Sequence, residues 1–215
     1  MFENATGFTH TQSGGGYAWV NWYGSSDTYG LTYLDDFYDH SVLNGQLLTI
    51  GGAWKGFNDS NAPWRTSASR ISGQQCGRTL LQTVQQLTHN SDYGSGHPLP
   101  LLGMVTWNDY EEGTEIETGI DNCLSLSASV SGSTLYWNPS FSSSSGSEST
   151  VHHYTVYDST NTGNLVPLAT VSSGTHSLSL SKYKLSKGTH TLYVQAVGQP
   201  SILNKVSAGV SYRVH

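Results

Sequence analysis

The spacing of apolar positions changes near residue 124. Before it, short continuous apolar runs alternate with stretches of helical period. "GGGYAWVNWYG" (14–24) reads as an aromatic-rich strand, and "TYGLTYLDDFYDHSV" (28–42) as a helix or turn-rich connection. "GQLLTIGGAWKGFND" (45–59) predicts a second strand whose core, "LLTIGGAW", is too continuously apolar for a half-exposed sheet. "CGRTLLQTVQQLTHN" (76–90) places Leu80, Leu81, Val84 and Leu87 on one helical face. "LLGMVTWND" (101–109) gives a third buried strand. Three strand-helix units predict a parallel β/α architecture, because parallel strands need long crossovers and are covered on both faces.

Past Cys123 the period becomes two. Seven short alternating runs, from "LSLSASVSG" to "KVSAGVSYRVH", are separated by Gly, Ser, Asn and Pro. That spacing predicts an antiparallel β-sandwich. "SFSSSSGSEST" (140–150) is low in complexity and falls between two of these strands, so it reads as a loop within the sandwich. The expected division is therefore 1–124 and 125–215.

Charge supports a division there. Residues 1–124 carry 13 acids and 4 bases (net −9), and residues 125–215 carry 2 acids and 5 bases (net +3). Neither part has the dense Lys/Arg stripe of a nucleic-acid surface. Only 11% of the residues are charged, while 13 Tyr and 6 Trp supply flat apolar rings with polar edges, suited to stacking on sugars. No run reaches the roughly 18 apolar residues that span a bilayer. "MFENATGFTHTQ" lacks a basic segment and an apolar core, so it is not a signal peptide. Cys76 and Cys123 suit one disulfide or two buried thiols, and their spacing fits no metal motif.

In parallel β/α proteins functional side chains gather where strands end. Three places qualify: Asn21, Trp22 and Tyr23; Trp54 to Asp59; and Trp107 to Glu112. The third is the densest in chemistry, with five acids in nine residues (Asp109, Glu111, Glu112, Glu115 and Glu117). Such a run can solvate a loop, bind Ca²⁺ through clustered oxygens, or hold a catalytic carboxylate pair. Glycoside cleavage needs one carboxylic acid for the leaving oxygen and one carboxylate across the anomeric carbon. Two close carboxylates repel, which raises one pKa and retains its proton. No G-x-S-x-G elbow, phosphate loop or H-E-x-x-H pattern offers a competing chemistry.

Two resemblances sharpen this reading. Trp137, and Tyr193 within "HTLYVQAVG", resemble the buried Trp and late-strand Tyr of fibronectin type III-like domains. "VTWNDYEEGTEIE" resembles the "TWNDYGES" segment near the end of the barrel in glycoside hydrolase family 71, the α-1,3-glucanases. Here Glu111 replaces the family's Gly, and "GTEIE" replaces a segment beginning Ser-His. The resemblance implies that Asp109 and Glu112 are the catalytic acids and that residues 1–124 are the carboxyl-terminal part of a TIM barrel, about three β/α units. It also implies inversion, with the carboxylates about 6.5–9.5 Å apart. Asp59 is a third carboxylate able to replace either.

The resulting expectation is a secreted polysaccharide hydrolase fragment with its leader upstream and a fibronectin-like tail. Trp22, Trp54, Asp59, Trp107, Asn108 and Tyr110 would bind substrate, with Asp109 and Glu112 on the same open side as Trp54 and Asp59. Core packing is the competing reading for each of the three Trp. No cofactor or metal is expected. An incomplete barrel would leave the isolated chain inactive and its sheet edge open, to be met by the missing strands or by a second copy. The alternative is a non-catalytic carbohydrate-binding or cell-surface module.

Overall fold

A computed structural model of the chain describes residues 1–21, 29–44, 47–65, 70–89, 99, 101–159 and 163–215. They form two compact units, Met1–Ile120 and Asp121–His215.

In the first unit, β1 (Phe2–Glu3), β2 (Gly15–Tyr17), β3 (Leu48–Trp54) and β6 (Leu101–Val105) form a parallel sheet in that order. Between β3 and β6 come β4 (Phe57–Asn58) and β5 (Ile71–Ser72), which pair antiparallel as a small sheet of their own. Three α-helices accompany them: α1 (Thr6–Thr9), α2 (Leu31–Leu43) and α3 (Arg78–His89). The periodicity of α2 points Tyr33, Leu34, Phe37 and Tyr38 inward, against Phe8, Trp54, Leu87 and Val105. Leu34 and Phe37 are fully buried, each a contribution of roughly 1.5–3 kcal/mol. Thr83 of α3 ties helix to strand: its Oγ1 accepts from Trp54 N (3.3 Å) and lies the same distance from Trp54 O. Among the described residues no helix is long and apolar enough to cross a membrane.

In the second unit every strand pairs antiparallel. β7 (Leu124–Ser131), β8 (Thr134–Phe141) and β11 (Ser177–Ser179) form one sheet in the order β11-β8-β7. β9 (Val151–Ser159), β10 (Leu165–Ser172), β12 (Gly188–Gly198), β13 (Lys205–Val206) and β14 (Val210–Val214) form the other. Strict alternation along β12 buries His190, Leu192, Val194 and Ala196. Leu192, Val194 and Ala196 share a core with Leu126, Leu135 and Trp137 from the smaller sheet, and the Trp137 and Tyr154 rings lie 5.6 Å apart.

The fold expectation is corrected on both counts. Among the described residues the regular structure is mostly strand, spread over four small sheets, with no barrel segment. The parallel strands have 2, 3, 7 and 5 residues, and the four-residue α1 is too short to cover a sheet face as a barrel crossover does. Nor is the second unit clearly a fibronectin type III sandwich. The smaller sheet includes a three-residue strand, and β13 and β14 both pair along β12. Tyr193 lies on the face of β12 away from the core, not within it. Periodicity reports which face of an element is buried, but not how many strands its sheet gathers. Neither cysteine is free; Cys76 and Cys123 are both disulfide-bonded.

Candidate active site

β6 ends at the buried Val105, and the chain then closes a tight turn over residues 106–114. Thr106 N donates to Thr114 O (3.2 Å), Thr114 N to Asp109 O (3.1 Å), and the two threonine hydroxyls meet at 2.7 Å. Asp109 N donates to Thr106 Oγ1 (3.1 Å), and Asp109 Oδ1 accepts from Glu112 N (3.0 Å). A side chain that satisfies a backbone N–H three residues on is the reason an Asp suits this position. The turn therefore fixes the backbone that carries Glu112 and places the charge of Asp109 beside it.

Two other segments hold the turn. Asn58 N donates to Glu112 O (2.8 Å) where β4 meets it. Gly113, at φ +61°, lies so close that a Cβ there would come within 3.2 Å of Asn58. Just past β3, the buried Lys55 ammonium pairs with Glu115 Oε1 at 2.6 Å, while Glu115 Oε2 is buried without a hydrogen-bond partner among the described residues.

The acids differ sharply in electrostatic state. Asp59 is 0% exposed; its Oδ1 accepts from Arg70 N (2.7 Å) and its Oδ2 from Arg70 Nε (2.6 Å). Burial pushes this carboxyl upward, but the bonds from Arg70 outweigh it and hold Asp59 below its usual range. Glu112 moves the other way. Burial raises it first, the Asp109 charge raises it further, and Asp59 adds to both, against a smaller lowering by Arg70. One acid is thus held charged and its neighbour is biased toward keeping a proton, as acid/base chemistry requires.

The expected substrate-binding residues separate. Trp107 (64% exposed) and Tyr110 (54%) project from the turn, and Asn108 is exposed beside them. The Tyr110 hydroxyl donates to Glu117, a bond that raises its pKa. Trp54 is corrected: at 0% exposure, in the core beside Tyr33, it has no face for a sugar. Asp59 is corrected likewise, because both its oxygens are committed to Arg70 and neither reaches an open side. Its charge still acts on Glu112. Trp22, with Tyr23, lies outside the described residues. Among the described residues no three His, Cys, Asp or Glu converge to hold a metal.

Lys55 and Arg70 were not anticipated as site residues. Lys55 had a signal, being a lone base directly after a continuous apolar strand in a chain with 9 Lys and Arg. Arg70 had none, because its partner lies eleven positions away across an irregular segment.

No family model matches the chain, and no curated protein matches it. Among solved structures it is similar to the crystal structure of the Clostridium perfringens spore cortex lytic enzyme SleM. That similarity is at 12% identity, covers 92% of this chain and 78% of that one, and has a TM-score of 0.27. A likeness so distant carries no argument about this chain.

Proposed function

We propose that the first unit carries a glycoside hydrolase site of the paired-carboxylate type, with Glu112 as the proton donor and Asp109 as the charged partner. The observation that carries the reading is the state of Glu112. It is a half-buried acid raised by burial and by the Asp109 charge, on a turn that also presents Trp107. In this reading Glu112 donates its proton to the leaving glycosidic oxygen as the bond to the anomeric carbon breaks. Asp109 takes a proton from the water that adds at that carbon. Trp107 and Tyr110 offer apolar ring faces to the sugar, and Asn108 a hydrogen bond. The resemblance of "VTWNDY" to the α-1,3-glucanases makes α-1,3-glucan the first polysaccharide to test. Secretion belongs to the same reading and is supported by the disulfide-bonded cysteines.

The test is release of reducing ends from α-1,3-glucan by the full chain and by Glu112→Gln, which preserves shape but cannot supply the proton. The expected loss is on the order of 10²–10⁴-fold. Unchanged hydrolysis in the variant would remove Glu112 from the chemistry. A second reading, a non-catalytic carbohydrate-binding module, is favoured by the use of Asp109 Oδ1 in the turn itself. It expects glucan binding by both proteins and hydrolysis by neither.

A further inference from the structure

Trp64 has no part in the site so far. It is 48% exposed, and the Arg70 guanidinium lies 5.6 Å from its ring centre and 5.2 Å from that of Phe57. An exposed indole is ordinarily free to turn. Here the cation against it is itself held, because Arg70 Nε and the Arg70 backbone N–H both donate to the fully buried Asp59, so the ring has a fixed neighbour. Asn58, directly before Asp59, donates its N–H to Glu112 O (2.8 Å), so the Asp59–Arg70 pair that backs Trp64 adjoins the turn carrying the acid.

The charges around the site limit what can lie on that ring. Arg70 is committed to Asp59 and Lys55 to Glu115, both at 2.6 Å. Asp109 and Glu112 make no ion pair among the described residues, and Glu111 is exposed beside them. A ligand on that ring meets an apolar face with Arg70 beside it and Arg65 next in the chain, both acting on Asp59. The sugar at the turn meets Asp109 and Glu111 instead, which disfavours a uronate or sulfated chain there, and the C–H face of an uncharged pyranose suits the indole.

We propose that Trp64, backed by Arg70, is a second sugar-binding platform of this site and takes an uncharged pyranose unit of a chain whose reacting bond lies at Glu112. This rests on the glycosidase reading, and the experiment separates the two. Binding is measured in the inactive Glu112→Gln full chain by calorimetry with neutral gluco-oligosaccharides, a disaccharide and a hexasaccharide, and with polygalacturonate. Adding Trp64→Ala should weaken hexasaccharide binding roughly tenfold, equivalent to about 1.4 kcal/mol, and leave the disaccharide unaffected. Trp64→Phe should restore most of the loss, which a merely structural defect would not allow. Polygalacturonate should not compete.

Equal hexasaccharide affinity with and without Trp64, or preferred binding of polygalacturonate, overturns the platform even if hydrolysis still depends on Glu112. Hydrolysis that survives Glu112→Gln while Trp64→Ala still weakens binding overturns the glycosidase reading and retains the platform. No glycan binding by either protein overturns both.

Discussion

The two units treat their acids in opposite ways. In the second, all three acids have a basic partner: Asp121 with Lys205 at 2.8 Å, Glu148 with His176 at 2.8 Å and Asp158 with His190 at 2.7 Å. The last pair is buried inside the antiparallel core. In the first, Asp59 and Glu115 are paired, but among the described residues Asp109 and Glu112, on a closed turn, form no ion pair. Acids that serve packing are neutralised. An acid left half-buried beside another charge keeps its proton longer, a condition with chemical rather than structural use.

Breaking the buried pair of the second unit should have the largest effect on stability. His190 is held by two acceptors, Asp158 Oδ2 through Nδ1 and the Ser186 carbonyl through Nε2 (2.8 Å), so both ring nitrogens donate and the ring is a cation. The Ser186 bond is the main cause of its raised pKa, opposed by burial and reinforced by Asp158. A raised pKa sets the sign. The contribution is complete below the unfolded value and is lost as pH rises through the folded one. His190→Ala should destabilise the unit by about 3 kcal/mol, since it strands a buried carboxylate. Hydrogen exchange of the β9 and β12 amides would read it, with the wild-type protection itself declining toward alkaline pH. Protection unchanged by the substitution would show that this pair does not hold the sheet.

The matching cut in the first unit is Lys55→Met, which leaves Glu115 without its partner. Because Glu115 retains some exposure, the expected cost is smaller, roughly 1–3 kcal/mol. The loss should concentrate in hydrogen exchange of residues 106–117. A cost equal to that of His190→Ala would show that the partial exposure of Glu115 does not soften the loss.

Much of the local structure was legible in the sequence. Of the face read from "TLLQTVQQL", Leu80 and Leu87 are buried on α3, while Leu81 and Val84 are only partly so and Thr83 is buried in their place; the alternation of "HTLYVQAV" became the buried and open faces of β12. Sheet composition was not legible, because periodicity says nothing of which strands find each other. The same limit applied at the site. "TWNDYEEG" marked the turn, and Asp109 and Glu112 are joined there by a local bond that three-residue spacing permits. The cations could not be foreseen as partners, because Lys55 meets Glu115 across sixty positions and Arg70 meets Asp59 across eleven. Trp54 misled for a related reason. A Trp at a strand end looks the same in sequence whether its ring faces solvent or, as here, lies beneath Tyr33.

The central claim is that Glu112 keeps its proton above the ordinary glutamate range because of burial and the Asp109 charge. A carbon-13 NMR titration of the Glu112 carboxyl in the full chain measures this directly, repeated in Asp109→Asn, which retains the Oδ1 acceptor but removes the charge. The account predicts a wild-type pKa above the reference of about 4.3, moving down toward it in the variant, so that deprotonation begins at lower pH. A Glu112 that titrates at or below the reference, or that does not respond to the loss of the Asp109 charge, would contradict it.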